Sequence, residues 1–212
     1  MANALLAGRR LYLCTSDRPD LAQFLEACID GGVDVVQLRD KLLEARPLLR
    51  RARLAALVCR DRGVPFILND RPDLALEAGA DGVHVGQDDA PPGLARRILG
   101  TGAIVGLSTH APAELDAAGP EPVDYVSAGP VAPTPTKPGR DGTGLDYLAY
   151  AAARSRRPWF VTGGVTPETV GDMVAVGAER FVVVRWLTQA HDPRRAASAL
   201  RAAIDEALAA AH

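Results

Sequence analysis

Three short segments hold the residues of this chain best suited to handling a polyphosphate. In Gln37-Leu38-Arg39-Asp40-Lys41 the amide, the guanidinium and the ammonium recur every second residue. Along an extended backbone that period places all three on one side. Arg grips phosphate oxygens in a planar fork and Lys adds a mobile point charge, so the trio suits a polyanion. The plainer reading is a solvated strand end whose cations pair with Asp40 or Glu44. Asn69-Asp70 and the run His84-Val85-Gly86-Gln87-Asp88-Asp89 each bring an acid to the end of an apolar stretch. Two carboxylates beside a diphosphate cradle are what Mg2+ takes, because it prefers hard oxygen ligands and fills its shell with water and phosphate. Alternatively, Asp70 and Asp89 are helix N-caps, given Pro72 and Pro91 just after them.

Four more segments fit the same theme. Gly106-Leu107-Ser108-Thr109-His110 offers hydroxyls that could hold a ligand oxygen or ring nitrogen, or cap a helix after Pro112; His110 alone reads as a hydrogen-bonded structural residue. Gly129-Pro130 leads into Pro133-Thr134-Pro135-Thr136-Lys137-Pro138-Gly139, a stiff loop carrying two hydroxyls and an ammonium. Thr162-Gly163-Gly164-Val165 and Val184-Arg185 could present glycine amides and helix N-termini to a second phosphate. Two anion sites are therefore expected, one of them metal-assisted.

To gather these segments at one place the chain needs a scaffold whose strands all end on the same face. Apolar runs alternate with longer helical stretches: strands are expected at Leu11–Thr15, Val33–Leu38, Pro65–Leu68, Gly82–Val85, Ile104–Leu107, Tyr125–Ala128, Trp159–Thr162 and Phe181–Val184. Between them, helices are expected at Leu21–Asp30, Leu42–Arg60, Leu74–Ala78, Leu94–Leu99, Ala113–Ala118, Leu145–Arg154 and Pro167–Val176, with Pro193–Ala211 last. Strand then helix, repeated, predicts an α/β fold, a (β/α)8 TIM barrel formed as a single domain by residues 1–212, with its functional face at the strand C-termini. An open dinucleotide-binding sheet ranks second, because the turn after the first strand reads Ser16-Asp17-Arg18-Pro19 and lacks the Gly-rich fingerprint.

The 24 Lys and Arg against 26 Asp and Glu make no field that would favour nucleic acid or an anionic membrane, which points to small-molecule partners. Cys14, Cys28 and Cys59 lie in apolar stretches without metal-ligand spacing, as in a reducing compartment. With no span-length apolar run and no long secretory core after Met1, a cytoplasmic, non-membrane protein is expected.

The segments Gln37–Lys41, Asn69-Asp70, Gly82–Asp89, Gly106–Ser108, Gly129–Lys137 and Gly163-Gly164, in that order and at fitting spacings, make nearly the whole chain resemble the thiamine-phosphate synthase family. The resemblance implies a homo-oligomeric (β/α)8 transferase with two phosphorylated heterocycles as substrates. It would join 4-amino-2-methyl-5-pyrimidinylmethyl diphosphate to a thiazole ethyl phosphate, or its carboxylated precursor, and release diphosphate with the help of Mg2+. On the same footing, Gln37, Leu38, Arg39, Asp40, Lys41, Asn69, Ser108 and Lys137 would bind the pyrimidine diphosphate, with Arg39, Lys41 and Lys137 catalytic. Asp70 and Asp89 would hold the metal, and Thr134, Pro135, Thr136, Gly164, Val184 and Arg185 would line the thiazole phosphate site. Arg185-Trp186 stands where many members carry Ser-Ala, so that phosphate would rest on backbone amides with Arg185 as an added contact. A thiazole tautomerase using His110, another barrel acting on a phosphorylated precursor, and a non-catalytic phosphate-ligand sensor are the alternatives.

Overall fold

Val, Ile, Leu and Phe cluster in short runs because a parallel strand buried on both faces has no solvent side to keep polar. In the computed structural model, which describes residues 3–133 and 142–211, these runs form β1 (Leu11–Thr15), β2 (Val35–Leu38), β3 (Phe66–Asn69), β4 (Gly82–Val85), β5 (Ile104–Thr109), β6 (Tyr125–Ala128), β7 (Trp159–Val161) and β8 (Phe181–Val183). Each strand pairs in parallel with the next, and β8 returns to β1 through Leu11–Phe181, Tyr12–Val182 and Leu13–Val183. The sheet closes in sequence order, so the α/β barrel expectation holds and no strand edge is left open.

The helices are α1 (Leu21–Asp30), α2 (Ala45–Asp61), α3 (Pro72–Ala78), α4 (Pro92–Leu99), α5 (Pro112–Ala117), α6 (Gly144–Arg154), α7 (Val170–Ala175), α8 (Arg185–Thr188) and α9 (Pro193–Ala210), after a 3-10 turn at Ala4–Leu6. Proline opens α3, α4, α5 and α9, where its missing N–H costs nothing. Most bounds lie within two residues of expectation, but two helices start three residues late for local reasons. α2 starts at Ala45 instead of Leu42, because the Asp40 carboxylate takes the N–H groups of Leu42 and Leu43 at 2.9 and 3.1 Å and makes a turn there. α7 starts at Val170 instead of Pro167, since Thr169 Oγ1 donates to the Gly164 carbonyl at 2.7 Å and accepts from Thr166 N at 3.0 Å. α8 was not expected at all; one turn long, it carries too little periodicity to be seen in sequence.

Strand parity divides the interior in two. Leu11, Leu13, Val36, Leu38, Val83, Val85, Val126 and Phe181 face outward and pack under the helices. Their neighbours Tyr12, Val35, Ile67, Ile104, Tyr125 and Phe160 face inward and, with Leu6, plug the barrel. On the same strand faces, nearer the C-terminal ends, lie Cys14, Gln37, Asn69, His84, Ser108, Ser127 and Thr162, a layer that is polar almost throughout. The apolar plug thus becomes the floor beneath a polar chamber. Gln37, Asn69, His84, Ser108 and Ser127 are all buried, a burial that is costly unless each is hydrogen-bonded.

Candidate active site

A cavity of about 810 Å³ opens on that floor at the C-terminal ends of the strands. Gln37, Arg39 and Lys41 all line it, as the period-two reading of β2 and its extension requires, and so do Asn69, Asp70, Asp89 and Ser108. Leu38 and Asp40 do not line it. Leu38 has the opposite parity and is buried under the helices. The Asp40 carboxylate is occupied by the backbone of its own loop and by Asp17 N at 3.2 Å.

Neither acid acts as a helix cap: Arg71 precedes α3 and Pro91 precedes α4. Instead both turn to Lys41, whose Nζ lies 2.9 Å from Asp70 Oδ2 and 4.0 Å from Asp89 Oδ1. The cation of the loop after β2 is therefore not paired with Asp40 or Glu44. Asp70 has φ 62°, making it the sole non-glycine residue in the left-handed region among the described residues. A backbone held there at the mouth of a barrel suggests a side chain aimed for a purpose, and Asp is one of the few residue types that tolerate it. Asp89 accepts the Gly86 N–H at 2.8 Å. Burial, then the hydrogen bond to Asp89, push the Asp70 carboxyl above the ordinary carboxylate range, and Lys41 opposes them. For Asp89 burial is outweighed by the hydrogen bond with Asp70, the Gly86 N–H and the Lys41 charge, which together hold it low.

Two carboxyls that resist being charged together are stabilised as anions by a cation between them. The donor set fits Mg2+, which usually takes one or two carboxylates and completes its shell with water and phosphate oxygens. Among the described residues no group of three or more His, Cys, Asp or Glu could hold a metal, so a site of two acids leaves most of the shell to substrate and water.

The floor is tied together by hydrogen bonds. Gln37 Nε2 reaches Tyr12 OH at 2.7 Å, Tyr12 OH meets Tyr125 OH at 2.9 Å, and Tyr125 OH meets His84 Nδ1 at 2.9 Å. His84 Nε2 meets Ser108 Oγ at 2.8 Å, and Gln87 Nε2 donates to the Ser108 carbonyl at 2.6 Å. Ser108 and Thr109 do not cap α5, which Ala111 precedes. Thr109 is fully buried, giving its hydroxyl proton to the Ser127 carbonyl and accepting from Tyr147 OH. His110 bonds through Nδ1 to the Gly129 carbonyl and through its backbone N–H to Glu114.

Across the cavity lie Gly163 and Gly164 with φ 85° and 76°, a conformation that only glycine adopts cheaply. A side chain at Gly163 would meet Pro130, so the absence of Cβ is what lets the two loops touch. Val184 and Arg185 also line this side, and α8 begins at Arg185. Trp186 is pinned by its Nε1 donating to the Ala196 carbonyl at 3.0 Å. Thr134, Pro135, Thr136 and Lys137 lie outside the described residues. Sequence reasoning assigned no part to Tyr12, Tyr125, His84 or Gln87. The usable signal was parity, since Tyr12, His84 and Tyr125 share the strand face of Gln37, Asn69 and Ser108.

Comparison with known proteins agrees with this architecture. The family described as Thiamine monophosphate synthase matches residues 11–187. The chain is 48% identical over 209 residues to a thiamine-phosphate synthase of Saccharopolyspora erythraea, covering 93% of this chain and 94% of that one. It is 48% identical over 211 residues to the thiamine-phosphate synthase of Thermobifida fusca, covering 97% and 96%. Among solved structures it is similar to a thiamine phosphate pyrophosphorylase from Pyrococcus furiosus, with TM-score 0.86, 27% identity and coverage of 94% and 96%.

Proposed function

From the premise that this chain belongs to the thiamine monophosphate synthase family and is a transferase forming thiamine phosphate, we propose how its cavity does so. The pyrimidine diphosphate lies over β2 to β5, the thiazole phosphate lies against the loops after β7 and β8, and the two rings meet between them. The observation that carries this reading is that Lys41, Asp70 and Asp89 converge on one side of the same cavity whose other side holds Gly163, Gly164 and Arg185.

Departure of diphosphate from the pyrimidinylmethyl carbon leaves positive charge that the aminopyrimidine ring can delocalise, so the displacement is dissociative. Arg39 and Lys41, joined by Lys137, stabilise charge growing on the leaving oxygens, where preorganised donors have the most effect. Asp70 and Asp89 would hold Mg2+, which when bound supplies Lewis-acid charge at the diphosphate. The Lys41 ammonium, 2.9 Å from Asp70, is placed at the edge of that acid pair and would meet a phosphate oxygen of the leaving group. Asn69 and Gln37 orient the pyrimidine diphosphate, Leu38 and Asp40 contributing only backbone, and Ser108 meets the pyrimidine. The amides of Gly163 and Gly164, Val184 and the Arg185 guanidinium, with Thr134, Pro135 and Thr136, hold the thiazole phosphate so that its ring nitrogen faces the reacting carbon. Fixing both partners this way removes much of the entropic cost of encounter. The bond needs no general base, and His110, bonded to the Gly129 carbonyl, is given none to perform.

Among the described residues no helix is long and apolar enough to cross a membrane. A cytoplasmic homo-oligomer is part of the proposal. The experiment is to mix the purified protein with both substrates and Mg2+ and follow thiamine phosphate and diphosphate by chromatography, with an EDTA control. Metal-dependent formation of both in equal amounts is expected. Product formed equally well in EDTA would refute the metal assignment, and intact substrates with folded protein would refute the whole reading.

A further inference from the structure

Gly163 and Gly164 have no side chains with which to fix the loop after β7, so its shape must be set from outside. We propose that Thr169 is a positioning residue which, by gripping this loop from the α7 side, aims the amides of Gly163, Gly164 and Val165 at the phosphate of the thiazole substrate. The ligand named here rests on the placing of that phosphate above; the grip on the loop does not.

Thr169 stands at the N-cap position of α7, where a threonine hydroxyl ordinarily turns forward to the free N–H groups of the helix. Its side chain makes no such bond. It turns back instead, donating from Oγ1 to the Gly164 carbonyl at 2.7 Å and accepting from the Thr166 N–H at 3.0 Å. The Thr166 carbonyl is the more distant acceptor, at 3.2 Å, so the hydroxyl proton belongs chiefly to Gly164. The carbonyl and the N–H of a trans peptide point opposite ways, and the Gly164–Val165 bond is trans. Holding the Gly164 carbonyl toward α7 therefore turns the Val165 N–H away from that helix. Gly163, Gly164 and Val165 all line the cavity, whereas Thr169 does not, so it acts through the backbone it holds.

The other end of the loop is held by the barrel. The Thr162 N–H donates to the Ala128 carbonyl at 2.9 Å, and the Thr162 carbonyl accepts from Val131 N at 2.8 Å. Between the two holds, the N–H groups of Gly163, Gly164 and Val165 meet no acceptor among the described residues. Val165 is buried and both glycines are half-buried, so donors left unmade there are costly unless water or a ligand satisfies them. Successive N–H groups in a turn make a concave anion site, and this turn is built on Gly163 and Gly164 at φ 85° and 76°. Arg185 lines the same cavity and adds a full charge to the partial charges of the amides. A phosphate monoester, with several acceptor oxygens on one atom, suits three neighbouring donors. Without the Thr169 hydroxyl, two consecutive glycines are free to turn at little cost, and the three amides lose their common aim.

Steady-state kinetics test the role. Thr169→Val keeps the shape and removes the hydroxyl; it should raise KM for the thiazole phosphate about tenfold, the scale of one lost hydrogen bond to a charged group. KM for the pyrimidine diphosphate should stay little changed, and Thr169→Ser, which restores the hydroxyl, should recover most of the loss. An equal rise in both KM values, no rise at all, or a serine variant no better than valine overturns the positioning role. Nitrogen-15 NMR with inorganic phosphate as the probe separates that role from the placing of the substrate. Phosphate should shift the Gly163, Gly164 and Val165 amides of the wild type, and Thr169→Val should need about ten times more of it for the same shift. An equal response in the variant overturns the role of Thr169, whereas wild-type shifts confined to other amides overturn the phosphate site and the proposed ligand with it. Thr169→Ala gives the same reading if Thr169→Val does not fold, and loss of the fold in both assigns Thr169 to structure and overturns the proposal.

Discussion

Replacing Asp70 by Asn separates what that residue does for the fold from what it does for the reaction. The Asp70 backbone sits at φ 62°, a conformation Asn tolerates as well as Asp, so the main chain has no cause to move. The substitution removes one ion pair, 2.9 Å long, whose lysine side chain is 51% exposed; such pairs contribute about 0–1 kcal/mol. It also removes a carboxyl that burial and Asp89 make reluctant to ionise, which offsets part of that loss. Stability should therefore stay within about 1 kcal/mol, or a melting shift below about 4 °C for a chain of this size. Turnover should behave differently. Removing one of two carboxylates from a cation that stabilises developing charge is comparable to deleting a preorganised electrostatic contact, roughly a hundred- to a thousandfold in kcat/KM. The assay is thiamine phosphate formation across a Mg2+ titration, beside a thermal melt. A variant with an unchanged melt and near-normal turnover at the wild-type Mg2+ requirement would refute the metal-holding role. A collapse of the melt would show that Asp70 is structural.

Lys137→Ala should lose most turnover with an unchanged circular dichroism spectrum, and near-normal turnover would count against its part in diphosphate departure. Gly106→Ala forces a methyl group into the fully buried Tyr125 ring; at about 3 kcal/mol for overpacking, the melting temperature should fall by roughly 6–12 °C, and an unchanged melt would mean the ring can move aside. Burial pushes the thiols of Cys28 and Cys59 up to about 12, so at pH 8 only about one in ten thousand is ionised. Both should react with a disulfide reagent only on unfolding, and their prompt reaction in the native protein would disprove that protection.

The order of strands and helices was legible in the sequence because buried parallel strands and amphipathic helices each leave a periodicity in the residues that compose them. The barrel followed from counting them and from the handedness of their connections. Gln37, Arg39 and Lys41 were placed together correctly by period two alone, since strand parity is a local property. Which partner a charge chooses is not local. Lys41 had Asp40 and Glu44 at hand in sequence and instead meets Asp70 and Asp89 across neighbouring strands, while Asp40 turns back to its own loop. The N-cap readings of Asp70 and Ser108 failed for the same reason: a cap is predicted from the next residues, and these side chains meet Lys41 and His84 far along the chain, while Asp89 turns back to the Gly86 N–H of its own loop. The Tyr12–Tyr125–His84 row shows the limit most clearly. Its members are 113 and 41 residues apart and look in sequence like ordinary core residues. Composition and periodicity fix which face of a strand a side chain occupies; only closure of the sheet decides which side chains share the chamber.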